Sequence, residues 1–357
     1  MIDIKQTRIE TPRLLLRPWR IEDAPDLYAY AKDPDVGPMA GFAPHRSLEE
    51  SRAIAKRFTE MENGVCLAVV LKETGHVIGS MGLGPDARHI QVPGCVHVGY
   101  SIGKAYWGRG LMPEAVHNAL DHIFRIWKIR IATITHYPEN HRSRRVIEKS
   151  GFRFEGVLRQ CALRYNGAVT DLWFYSMTAA EYYTLRAGEL GLRLALPEEF
   201  PVEQLEEYRR GWGAEKIVPG AMRSPVPYDF NWVQQQIAKR TYPVPGYVPS
   251  TLYLLTDADH RILGALDLRH ELVGKLLTVD GHIGYGVHPS ERGKGLAPLL
   301  LGLGLEKAKE LGIRQVLVTC NDDNPASAAT IRDCGGVLEK LVAEANGNLV
   351  RRYWIYL

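Results

Sequence analysis

One block of residues occurs twice in this chain, once in each half. His97-Val98-Gly99-Tyr100 is followed by Trp107-Gly108-Arg109-Gly110-Leu111, and His282-Ile283-Gly284-Tyr285 is followed by Arg292-Gly293-Lys294-Gly295-Leu296. Each copy places a proline two residues past that leucine, Pro113 and Pro298, and opens an apolar helical stretch. Further on, each carries Asn-x-x-Ser: Asn140 with Ser143, and Asn324 with Ser327. A period this long excludes a solenoid of short repeats and requires two complete domains. A chain of 357 residues is long enough to build two separate cores. The expected layout is a first domain over 1–183, a join over 184–191 where periodicity lapses, and a second domain over 192–357.

Several partners are disfavoured by composition. A net charge of +3, with no dense basic stripe, argues against nucleic acid. The five cysteines, Cys66, Cys95, Cys161, Cys320 and Cys334, are odd in number and widely spaced. None has metal-ligand spacing to another Cys or His, so reduced thiols in a cytosol are expected and a metal is not. The N-terminal Met-Ile-Asp-Ile-Lys-Gln lacks the basic-then-apolar build of a secretion signal. The longest apolar run, 296–305, is interrupted by Pro298, Gly302 and Gly304 and is too short to span a bilayer. A cytoplasmic protein that uses no membrane is the expectation. Oligomeric state is not readable from these features.

In the first half, Arg13-Leu14-Leu15-Leu16-Arg17 reads as a strand, 24–30 and 48–61 as helices, and 66–71, 77–83 and 96–102 as strands. Val116, Ala119, Leu120, Ile123, Phe124 and Trp127 mark one apolar helix face. A strand over 129–135, a helix over 140–149 stopped at Gly151, and a hairpin around Asn166-Gly167 complete the unit. The second half repeats this order, with strands near 252–256, 262–268, 282–287 and 315–319 and a closing hairpin at Asn346-Gly347. Residues 219–250, rich in Pro, Tyr and Trp, have no evident match in the first half. Such a loop on a rigid scaffold is expected to shape a binding cleft.

Glycines between strand and helix let successive backbone N–H groups turn inward, and the helix adds its unpaired amides and positive dipole end. The product is a concave anion site suited to a pyrophosphate. Neither copy completes GxGxxG, and no Gly-Lys-Ser/Thr follows, so neither the dinucleotide fingerprint nor a nucleotide P-loop fits.

Arg292-Gly293-Lys294-Gly295-Leu296-Ala297 resembles the acetyl-CoA loop of the GCN5-related N-acetyltransferases (GNATs), written Q/R-x-x-G-x-G/A. The first copy departs from it at Trp107 and Met112. Its wider text, from Thr11-Pro12-Arg13-Leu14 to Glu155-Gly156-Val157-Leu158-Arg159, resembles the ribosomal-protein N-terminal acetyltransferase (RimJ/RimL-like) branch. The resemblance implies an α/β (α+β) chain of two tandem GNAT folds. Each would be a mixed, mostly antiparallel twisted sheet flanked by helices and splayed where acetyl-CoA enters. Acetyl-CoA is the implied co-substrate.

By the same resemblance, pantetheine would pair with backbone along Tyr100 to Ile102 and Tyr285 to Val287. Loop residues 107–112 (Trp107, Gly108, Arg109, Gly110, Leu111 and Met112) and 292–297 would hold the pyrophosphate. Asn140 and Asn324 would bond the pantetheine amides, and Arg142, Arg144 and Arg145 would reach the 3′-phosphate. Helix capping also explains the asparagines, and a solvated face explains the arginines. The tyrosine acid of many relatives is replaced by Ile147 and Ile331. Ser143 and Ser327 match the serine placed near the sulfur in the ribosomal-type branch, where a hydroxyl would stabilise the leaving thiolate. His97 and His282 stand where relatives often carry a carboxylate, and an imidazole there suits a base titrating near neutrality. His282 is the stronger expectation, and packing on the sheet face is the competing account of both.

The leading expectation is therefore direct acetyl transfer in a ternary complex to a primary amine of a small molecule or peptide N-terminus. Tyr228, Trp232, Tyr242 and Tyr247 would help form the second acceptor site. One alternative makes only the second domain catalytic, with the first binding CoA or buttressing. Another makes the chain a non-catalytic acyl-CoA sensor or interaction protein.

Overall fold

The computed structural model of the protein describes residues 6–86, 93–241 and 246–357. It divides into two compact units, 1–178 and 179–357. The division falls ahead of the expected join, because 184–189 belong to a helix of the second unit.

The first unit runs β1 (Ile9–Glu10), β2 (Leu14–Pro18), α1 (Ala24–Ala31), α2 (Gly37–Ala40), α3 (Leu48–Thr59), β3 (Val65–Leu71), β4 (Val77–Gly84) and β5 (Cys95–Ile102). It continues with α4 (Leu111–Asp121), β6 (Ile131–His136), α5 (His141–Lys149), β7 (Arg153–Leu163) and β8 (Val169–Thr178). The second unit runs α6 (Ala179–Glu189), β9 (Arg193–Ala195), α7 (Val202–Arg210), α8 (Phe230–Ala238), β10 (Ser250–Thr256), β11 (Ile262–Arg269) and β12 (Ile283–Val287). Then come α9 (Leu296–Glu310), β13 (Gln315–Asn321), α10 (Pro325–Asp333), β14 (Val337–Ala343) and β15 (Leu349–Tyr356).

The sheets order as β1-β2-β3-β4-β5-β6-β8-β7 and β14-β15-β13-β12-β11-β10-β9. In each, one pair is parallel and the rest are antiparallel. That parallel pair positions the site. β5 and β6 pair from Cys95↔Ile131 to Val98↔Ile134 and then part. β12 and β13 meet only at Ile283↔Val318. Beyond these points the strands no longer satisfy one another's backbone polar groups, which leaves donors and acceptors for a ligand.

Helix α4 buries Leu111, Met112, Ala115, Val116, Ala119 and Leu120, the period-3.6 face read from the sequence. In α9 the run 296–305 is a core helix. Gly302 and Gly304 give it close approach: a Cβ at Gly302 would lie 2.9 Å from Tyr183 Cβ, and one at Gly304 2.3 Å from Leu266 Cδ1. No helix among the described residues is long and apolar enough to cross a membrane.

The segment 219–250 corrects the expectation that it is unmatched. Its α8 follows α7 and precedes β10 as α3 follows α1 and precedes β3. Tyr228 and Trp232 stack at 4.1 Å between ring centroids and belong to a buried cluster with Leu205, Tyr208, Trp212, Leu252 and Ala265. They are core, because apolar rings gain more inside a cluster than at a wet mouth. Tyr247 is exposed, and Tyr242 lies outside the described residues.

Candidate functional site

Both glycine loops take one conformation. Gly108 and Gly110 have φ of +75° and +73°, and Gly293 and Gly295 have +78° and +73°. A Cβ at Gly108, Gly293 or Gly295 would meet nothing within 4 Å, so backbone conformation, not crowding, requires glycine there. Gly110 and Gly295 are the N-caps of α4 and α9, which places the helix amides beside the turned loop amides. Arg109, Arg292 and Lys294 are exposed, whereas Leu111 and Met112 are buried beneath the loop.

The departure at Trp107 has a physical account. Trp107 Nε1 donates to the Ile102 carbonyl at 2.9 Å, and Arg292 Nε donates to the Val287 carbonyl at 3.4 Å. Two different side chains thus close the same loop onto the same strand end. Each also meets a π-cation partner: Arg142 lies 4.2 Å over the Trp107 ring, and Arg292 5.4 Å over Trp212.

In the first unit these elements surround a cavity of about 810 Å³. Its walls include Gly108 and Gly110, the splayed stretch of Gly99, Tyr100 and Ile102, the start of α5 at Asn140 and Ser143, and His97. Arg145, exposed, and Lys149 stand at its lining and supply positive charge.

One pairing recurs in both units. Tyr100 Oη lies 3.0 Å from Ser143 Oγ, and Tyr285 Oη lies 3.0 Å from Ser327 Oγ. Burial pushes both phenols far up from the ordinary tyrosine range, against the opposing effect of the serine bond, so they stay protonated. Ile147 and Ile331, on the helices that carry these serines, are both fully buried.

The asparagines cap. Asn140 Oδ1 and Asn324 Oδ1 accept from the Ser143 and Ser327 amides, each at 3.0 Å. Asn140 Nδ2 also donates to the Met39 carbonyl at 3.0 Å, so this side chain is engaged within the protein at both ends.

The two histidines differ. His97 Nδ1 lies 3.2 Å from Thr133 Oγ1, and the Thr133 hydroxyl donates to Asp86 Oδ2 at 2.5 Å. His282 is buried, and its Nδ1 accepts the Leu317 amide proton at 2.9 Å. An imidazole that accepts at Nδ1 carries its neutral-state proton on Nε2 and has no lone pair there. Burial, with the Arg269 charge second, pulls its pKa down to about 4. The two imidazoles thus sit in different hydrogen-bonding states.

Their surroundings differ as well. A Cβ on Gly99 would meet nothing within 4 Å, whereas one on Gly286 would lie 2.5 Å from the Val218 carbonyl oxygen and one on Gly284 3.4 Å from Pro219 Cβ. Residues 218 and 219 thus lie against the face of β12 whose counterpart in β5 opens on the cavity.

Sequence reasoning missed the tether of the first loop. Glu114 accepts from the Thr11 hydroxyl at 2.5 Å and from Arg13 Nε at 2.7 Å, while Arg13 Nη1 donates to the Arg109 carbonyl at 3.0 Å. The signal was the Thr11-Pro12-Arg13-Leu14 text, to which no role had been attached.

Residues 13–153 match the family model described as "Acetyltransferase (GNAT) domain", and 226–335 match that described as "Acetyltransferase (GNAT) family". The chain belongs to the GNAT acetyltransferases, with one such domain in each half. It is an N-acetyltransferase of a family that uses acetyl-CoA. It is 28% identical over 175 residues to the uncharacterized N-acetyltransferase p20 of Bacillus licheniformis, covering 48% of this chain and 96% of the relative. It is 27% identical over 174 residues to the uncharacterized N-acetyltransferase YoaA of Bacillus subtilis, covering 47% and 95%. Among solved structures it is similar to Mycobacterium smegmatis RimJ in complex with CoA-disulfide, at 21% identity and a TM-score of 0.45, covering 53% of this chain and 98% of that one.

Proposed function

We propose that the first unit transfers an acetyl group from acetyl-CoA to a primary amine of a small molecule or a peptide N-terminus, by direct attack in a ternary complex. The observation that carries this reading is the single cavity that gathers the glycine loop, the splayed strand, Ser143 and His97. The pyrophosphate would sit on the loop amides, with Arg145 toward the outer phosphates. Pantetheine would pair with backbone from Tyr100 to Ile102, where a strand N–H would polarise the thioester carbonyl. His97 would take one proton from the ammonium at Nε2. The neutral amine then forms the C–N bond, the adduct nitrogen gives up its second proton to water, and collapse of the tetrahedral adduct breaks the C–S bond, the sulfur leaving as the thiol once protonated. The Tyr100 and Ser143 hydroxyls, paired at 3.0 Å, would stand beside the departing thiolate and supply its proton.

The second unit, on this reading, keeps a CoA loop in 292–297 and the Tyr285–Ser327 pair, yet transfers nothing in this state. His282 lacks an accepting Nε2, and residues 218 and 219 cover the acceptor side of β12.

The test is an amine panel followed by CoA thiol release, on the intact protein and on Gly108→Glu and Gly293→Glu. Turnover with some amines, abolished by the first substitution and kept by the second, is expected. Thiol release lost only with Gly293→Glu would overturn the assignment of units.

A further inference from the structure

The molecule holds a buried polar chain that the reaction scheme leaves unused. Thr133 is fully buried on β6 and Asp86, just past β4, is 3% exposed. Neither is needed to close the sheet, since β5 and β6 already pair through backbone at His97↔Thr133.

The hydrogen-bond arithmetic is restrictive. A threonine hydroxyl has one proton, and here it goes to Asp86 Oδ2 at 2.5 Å. The contact at 3.2 Å between Thr133 Oγ1 and His97 Nδ1 must then be filled by a proton on the imidazole. A neutral ring with its proton on Nδ1 has its lone pair on Nε2. We propose that Thr133 and Asp86 are positioning residues that hold His97 in this tautomer and, once the ring has taken a proton, balance its charge through the hydroxyl.

The second unit supplies the internal contrast. Its strands bring His282 beside Leu317, the place that Thr133 occupies beside His97. With no hydroxyl to receive a proton, His282 Nδ1 accepts the Leu317 amide instead, which sets the opposite tautomer. One side chain on the neighbouring strand therefore decides which of two repeated histidines can act as a base. The proposal rests on His97 serving as that base.

Nitrogen-15 NMR of the neutral imidazole in the intact chain tests it, with His97 assigned by its loss in His97→Gln. The expected wild-type pattern is protonated Nδ1 and unprotonated Nε2, shifted toward the opposite tautomer in Thr133→Val and retained in Thr133→Ser. Thr133→Val and Asp86→Asn should also lower kcat for the amine by roughly ten- to a hundredfold, the scale seen when a partner that orients an imidazole is removed. The acetyl-CoA KM should hold, and Thr133→Ser should recover most of the rate. If Asp86→Asn does not fold, Thr133→Val carries the test. A wild-type ring protonated on Nε2, or one indifferent to Thr133→Val, overturns the proposal. The expected tautomer combined with full turnover in His97→Gln supports the positioning and rejects the base.

Discussion

The two units carry the same residues at the same offsets and put them in different chemical states. His97 and His282 each stand two residues ahead of a Gly-Tyr pair, yet one faces a threonine hydroxyl and the other a backbone amide. Gly99 lines a cavity and a Cβ on it would meet nothing within 4 Å, while one on its counterpart Gly284 would lie 3.4 Å from Pro219 Cβ. What the units share is the left-handed glycines, the helix start and the Tyr–Ser pair. What separates them is the partner of the histidine and what lies against the strand that carries it. On the proposed function the shared part would hold the cofactor and the varied part would meet the amine, which fits a fold whose functions differ by local grafting.

The sharpest expected separation is in turnover. Ser143→Ala should lower kcat by about a hundredfold, the order of loss when one donor to developing charge is removed. Ser327→Ala should leave the rate near that of the wild type. Thiol-release kinetics with a saturating amine decide it, and equal losses would mean that both units work.

A second contrast is stability against pH. The lowered pKa of His282 means that the unfolded chain takes up a proton near 6.5 while the folded ring resists until about 4. Its contribution is therefore intact above 6.5 and is lost as pH falls toward 4. Between pH 7 and 5 the loss is about 2 kcal/mol at 1.36 kcal/mol per unit. Chemical denaturation of wild type and His282→Gln at both pH values should show the smaller drop in the variant, whose amide oxygen still accepts from Leu317. Identical drops would remove His282 from the account.

Packing over β12 gives a third, smaller contrast. Gly286→Ala should destabilise the second unit by about 1–3 kcal/mol, because the Val218 carbonyl must move. At the matching place in β5 the protein already carries a side chain, Ser101, beside Ser80 at 2.9 Å. Unfolding midpoints would check this, and a neutral Gly286→Ala would show that residues 218 and 219 yield freely. The smallest effect is at the caps, where Asn140→Ala and Asn324→Ala should each cost about 1 kcal/mol. A larger loss of CoA affinity in one of them would reveal a ligand contact in addition to the cap.

Much of this was legible in the sequence because it is local. The loop glycines, the helix that starts at Leu111 and the closing hairpins follow from neighbours within one turn or one strand. The register of the duplicated block also indicated which residues would correspond. The pairs that decide chemistry are not local: Thr133 meets Asp86 across 47 positions and Arg13 meets Glu114 across 101. Which nitrogen of a histidine carries the proton depends on such a partner, so loop similarity does not tell the state of His282 from that of His97. The aromatic stretch 219–250 misled for a related reason, since composition cannot tell a cleft wall from a core helix such as α8.

The most direct measurement is acetyl transfer by the full-length protein in two variants, His97→Gln and His282→Gln, on one accepted amine. The account predicts that kcat/KM for the amine falls by roughly 10²–10⁴ in His97→Gln, the span of a general base, and stays near wild type in His282→Gln. A loss confined to His282→Gln, or shared equally by both, would contradict it.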